Sequence, residues 1–118
     1  MSSTDRDPTR FVPLPHLALH VLLTLSEEPR HGWGIVRRIE ERTAGVWSPS
    51  AGSLYLSMTR LETQGLIEDA EAPEAGVDAR RRYYRLTPLG RRVVALEVER
   101  LADVLTWVEG MPGRARGT

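Results

Sequence analysis

The sequence predicts a mostly helical chain with one small β-hairpin: three short helices, two short strands and a long final helix. Three observations carry that expectation. Apolar residues recur at helical spacing up to Gln64, the period turns extended between Leu66 and Leu86, and helical spacing returns from Thr87 to Met111. At 118 residues, with 41% apolar and 27% charged side chains, the composition suits one folded domain, not a disordered tail or a fibrous repeat.

Residues 1–12 are polar and aperiodic and read as a flexible arm. Pro13 and Pro15 bracket the entry to a first helix over 14–25, apolar nearly all round, as a helix buried between layers is. Ser26 to Arg30 reads as a turn. A second helix over 31–43 turns Ile35, Val36 and Ile39 inward and Arg37, Arg38, Glu40 and Glu41 outward, and Ala44-Gly45 ends it. Ser50 is placed to cap a third helix over 51–64, its hydroxyl accepting from a first-turn amide. Leu54, Met58 and Leu61 form that helix's core stripe, and Gly65 stops it.

Leu66-Ile67-Glu68 and Arg82 to Leu86 are the strand candidates, joined by an acidic stretch with Pro73 and Gly76 that suits a hairpin tip. Thr87-Pro88, a cap followed by proline at the first helical position, opens a last helix reaching about Met111. Three short helices followed by a hairpin is the winged helix-turn-helix order, with the second and third helices as the turn unit and the hairpin as the wing. The expected organisation is therefore an arm (1–12), a winged helix-turn-helix (13–86), a dimerisation helix (87–111) and a flexible tail (112–118).

Charge is patterned although the net charge is zero. Glu68, Asp69, Glu71, Glu74 and Asp78 run without a base between them; six arginines follow from Arg80 to Arg92 without an acid. A partner feels that local field within a Debye length of about 10 Å. All sixteen basic residues are arginine, a bias more readily explained by a GC-rich coding genome than by guanidinium chemistry. No cysteine is present, which excludes disulfides, thiolate nucleophiles and Cys-based metal sites and fits a reducing cytoplasm. No apolar run reaches the roughly 20 residues that span a bilayer, and no secretory signal is expected.

Opposite the core stripe, the third helix displays Gly52, Ser53, Leu56, Thr59, Arg60 and Thr63, with Tyr55 at the flank and Ser50 at its start. Such a face fits a major groove about 12 Å wide, with hydroxyls on phosphates or base edges, Leu56 and threonine methyls on thymine methyls, and Arg60 on guanine or a phosphate. The competing reading is a plain solvated face. Arg80, Arg81 and Arg82 tip the balance, because clustered like charges on a wing suit a phosphate backbone. A solubilising turn, neutralised by the hairpin's own acids, is the alternative.

On the last helix Val94, Val98, Leu101, Leu105 and Val108 follow a 4-3-4-3 seam. Leu89, Val93, Leu96, Val104, Trp107 and Met111 widen the apolar arc to roughly 200°, about twice what covering one core requires. A second copy of the chain is the expected cover, with Glu97 and Arg100 as interface ion pairs. A two-fold dimer would set two recognition helices on a palindromic site with half-sites about 34–36 Å apart. His16 and His20 are spaced like a two-His metal pair, but nothing local completes a site, so no metal or other cofactor is expected. No phosphate loop or nucleophile elbow argues for an enzyme. A winged helix that docks protein instead of DNA is the rival reading.

His31-Gly32-Trp33-Gly34-Ile35, Trp47 to Tyr55, Arg60-Leu61-Glu62, Gly65-Leu66-Ile67 and Arg81 to Gly90 together resemble the PadR family of transcriptional regulators, in order and with family-like spacing over about residues 14 to 111. The resemblance implies a dimeric, usually repressing DNA-binding protein of the branch with one helix after the wing. It implies DNA contacts around Ser53 and Tyr55 and at the wing arginines. It also implies that a tryptophan of the last helix, here Trp107, stacks on a flat aromatic effector, against which plain interface packing is the alternative. Two positions depart from the pattern: Trp33-Gly34 replaces a tyrosine and an acidic or polar residue, and Leu56 replaces a frequent proline.

Overall fold

The computed structural model describes residues 6–73 and 80–113. Within them lie α1 (His16–Glu27), β1 (Arg30–His31), α2 (Gly32–Arg42), α3 (Ala51–Thr63), β2 (Ile67–Ala70), β3 (Tyr83–Leu86) and α4 (Pro88–Glu109), preceded by a 3-10 turn over Pro8–Phe11. Four helices and a small antiparallel sheet form the winged helix-turn-helix that the sequence predicts. Residues 114–118 of the expected tail lie outside the described residues.

One core holds these elements together. Val21, Leu22 and Leu25 of α1 pack with Ile35 and Ile39 of α2, Leu54, Met58 and Leu61 of α3, and Leu66, Ile67 and Leu86 of the hairpin. Leu89 and Val93 of α4 join the same cluster. Each such side chain contributes about 1.5–3 kcal/mol by leaving water. The all-round apolar character of α1 is thereby explained, since it touches α2, α3, α4 and β3.

The sheet has the order β1-β3-β2. Ile67 pairs with Leu86 and Ala70 with Tyr83 across the hairpin, while Arg30 and His31 pair with Tyr84 and Tyr83 on its other side. Where the sequence predicts only a turn before α2, the chain thus forms a third strand. Two residues between Pro29 and a helix carry no period to detect.

The N-terminal expectation also needs correction. Residues 1–5 lie outside the described residues, but residues 6–12 are structured and docked. Asp7 accepts from Thr9 N–H at 3.0 Å, and Phe11 and Val12 pack against the core. The Arg6 guanidinium donates to the Gln64 carbonyl, and Arg92 donates to the Arg6 carbonyl at 3.1 Å. These long-range ties have no periodic signature in the sequence.

Two junctions fix α4 against the rest. Thr87 Oγ1 accepts from Gly90 N–H at 3.0 Å and donates to the Gly65 carbonyl at 2.6 Å. That seats the α4 N-terminus on the turn after α3, where Gly65 adopts a φ of 78° that favours glycine. Further along, the fully buried Glu97 accepts from Leu14 N–H at 3.0 Å and from Arg100 at 2.7 Å. Glu97 and Arg100, expected across a dimer interface, instead pair within one chain and hold the start of α1. The Arg100 hydrogen bond outweighs burial and keeps the Glu97 carboxyl below its ordinary range.

Candidate nucleic-acid interface

α3 begins on a true cap: Ser50 Oγ accepts from Ser53 N–H at 3.1 Å, a first-turn amide as the sequence predicts. Ser50 is therefore committed to the helix end, although it remains exposed. From this fixed start, Leu54, Met58 and Leu61 point inward, while Gly52, Ser53, Tyr55, Leu56, Thr59, Arg60 and Thr63 are exposed. Tyr55 at 71% and Leu56 at 63% are too open to be core residues.

Two clefts divide the flanks of this face. On the wing side, Tyr55 lines a cleft of ≈ 410 Å³ with Trp33, Arg81, Arg82 and Tyr84. On the other side, Ser53, Leu56 and Arg60 line a cleft of ≈ 470 Å³ against the N-terminal segment. The predicted α3 residues thus divide: Tyr55 lies on the flank of the wing arginines, and Ser53 and Arg60 lie on the other.

Arg80 and Arg81 are exposed at the start of the wing's return strand, whereas residues 74–79, with Glu74, Gly76 and Asp78 of the expected tip, lie outside the described residues. Arg82 is anchored within the chain. It donates to Asp69 and to Glu62 at 2.7 Å each, and lies 5.1 Å from the Tyr84 ring centre. Its hydrogen bond to Asp69 raises the guanidinium further above its ordinary value, so its charge is fixed at every accessible pH. Burial raises the Tyr84 hydroxyl as well.

In the sequence Trp33 stands in the His31 to Ile35 block, where it also departs from the family pattern; the fold sets it on the wing-side cleft. It stands in the first turn of α2, 53% exposed, and shares the wing-side cleft with Tyr55. The available signal was an aromatic residue outside the inward 35-36-39 set of that helix. His31 Nδ1 accepts from Gly34 N–H at 3.0 Å and caps the same turn.

Along α4 the core ends early. Leu89, Val93 and Glu97 are buried, Val94 and Val108 are half-buried, and Val98, Leu101, Val104, Leu105, Trp107 and Met111 are each at least 38% exposed. The predicted seam therefore runs largely along open surface, and Trp107 lies on it. His16 and His20 turn to Trp47, with ring centres at 4.8 and 5.0 Å, and His20 Nδ1 meets the His16 carbonyl at 3.0 Å. Among the described residues no three potential metal ligands cluster, and no helix is long and apolar enough to cross a membrane.

A helix-turn-helix, a flanking wing and an exposed face on the second helix of the unit define a winged-helix protein. The model of the Transcriptional regulator PadR-like family matches residues 21–96, and the chain belongs to that family. It is 32% identical over 89 residues to an uncharacterized protein X of Lysinibacillus sphaericus, covering 75% of this chain and 81% of that one. Identity to the transcriptional regulator YqjI of Escherichia coli is 36% over 58 residues, 49% of this chain and 28% of that longer protein. A PadR family transcription regulator from Clostridium difficile has the same fold, with a TM-score of 0.70, 21% identity, and coverage of 80% of this chain and 96% of that one. The family to which the chain belongs is one of transcriptional regulators, not of enzymes.

Proposed function

We propose that the protein is a dimeric transcriptional repressor of the cytoplasm that grips double-stranded DNA at a palindromic operator and is released by a small aromatic or hydrophobic effector. The observation that carries this reading is the exposed α3 face of small, hydroxyl, leucine and arginine side chains beside an arginine-bearing wing. Ser53, Leu56, Thr59 and Arg60 meet base edges or phosphates in the major groove. Tyr55 and Trp33 press on the sugar–phosphate backbone at the wing-side flank. Arg80, Arg81 and Arg82 hold backbone, Arg82 by exchanging Glu62 or Asp69 for a phosphate. Ser50 serves by fixing the start of the helix. Val94, Val98, Leu101, Leu105 and Val108 pair the two copies, and Trp107 offers its ring to the effector.

Fluorescence anisotropy of a labelled duplex tests the DNA reading. Log affinity should fall linearly with log salt, at a slope of about −0.9 for each phosphate neutralised. A chain that binds no duplex in dilute buffer is a protein-docking winged helix, the reading that the internal pairing of Arg82 supports.

A further inference from the structure

The cleft between the N-terminal segment and α3 carries two cations over an otherwise mainly apolar lining: Arg10 from the 3-10 turn and Arg60 from α3. Both are exposed, and neither forms an ion pair with a carboxylate among the described residues. Asp7 senses the Arg10 charge, but its Oδ1 is committed to the Thr9 amide. Like charges that face one cleft repel, and an anion between them removes the penalty.

The segment that presents Arg10 is held in place. Arg6 is bonded to the carbonyl of Gln64 just past α3, Arg92 bonds the Arg6 carbonyl, and Phe11 packs on the core. Arg10 is thus positioned relative to α3 on the flank away from Arg81 and Arg82. A helix in the major groove has a phosphate strand on each wall. The wing arginines serve one side, and without Arg10 the other has Arg60 alone.

We infer that the N-terminal segment is a third DNA-contacting element, in which Arg10, beside Arg60, holds a backbone phosphate on the side away from the wing. This rests on the DNA-binding reading above. The test uses full-length protein, its Arg10→Ala and Arg10→Lys variants, and a fluorescein-labelled duplex of about three helical turns. Arg10→Ala should bind more weakly at low salt, with a salt slope shallower by about 0.9, so that a fourfold rise in salt closes the gap by about 3.5-fold. Arg10→Lys should keep the wild-type slope.

Wild-type binding with an unchanged slope in Arg10→Ala overturns the inference and leaves the function standing. The inference fails equally if Arg10→Ala weakens binding only by lowering the thermal midpoint, the slope being unchanged. If the wild-type chain binds no duplex, the function itself fails.

Discussion

Gly90 lies where α4 crosses the turn after α3, and a Cβ built there would stand 2.1 Å from the Leu66 carbonyl oxygen. That oxygen is backbone and also accepts from Thr87 N–H at 3.1 Å, so it cannot yield cheaply. Gly90→Ala should cost about 3 kcal/mol, the upper range for overpacking, read as a lower midpoint in chemical denaturation. An unchanged midpoint would mean that α4 slides without penalty. Glu97→Ala should cost about 2 kcal/mol, because it strands the Leu14 amide and unpairs Arg100. Glu27 supplies the pH dependence: its hydrogen bond to Arg38 holds the carboxyl at about 2 against an ordinary 4.5. The stabilisation is complete above pH 4.5 and is lost as pH falls towards 2. With the side chain 42% exposed, solvent screening limits it to about 1 kcal/mol. In Glu27→Gln the decline of thermal midpoint over that window should be smaller than in wild type.

At the scale of elements, the proposed DNA contacts divide the labour between the wing and α3. Charge reversal at Arg81 and Arg82 should weaken binding to every duplex alike, whereas Arg60→Ala should relax preference at one base position, as competition among duplexes of different sequence would read. If both variants bind as wild type does, the contact assignment is wrong. The α3 face was legible in the sequence because Leu54, Met58 and Leu61 fix the helix phase, and a known phase dictates what faces outward. The capping of α3 and α4 was legible for a similar reason, since Ser50 and Thr87 act within three residues of themselves. β1, the docking of residues 6–12 and the Glu97–Leu14 bond were not. Each joins residues far apart in sequence without periodicity, and only the folded chain brings them together. Arg82 shows the same limit, because local charge counting cannot tell that Glu62, twenty residues away, is its partner.

For the whole molecule, the open half of α4 is the surface to explain. Six large apolar side chains from Val98 to Met111 are 38% to 68% exposed in the single chain. A second copy that covers them leaves two α3 faces on one particle. Leu101→Asp with Leu105→Asp should give a monomer in analytical ultracentrifugation and lower DNA affinity by about a hundredfold, because avidity is lost. Unchanged sedimentation would place the partner elsewhere. Quenching of tryptophan fluorescence by hydrophobic dyes should shrink in Trp107→Ala, and equal quenching would remove the proposed effector contact at Trp107.

The proposed operator recognition depends on paired recognition helices on one duplex. Footprinting of the purified protein on fragments of its own genome tests that most directly. Two protected half-sites related by a dyad, with centres about one helical turn, ~34 Å, apart, are the predicted result. A single unrepeated contact, or no protected fragment in dilute salt, would contradict it.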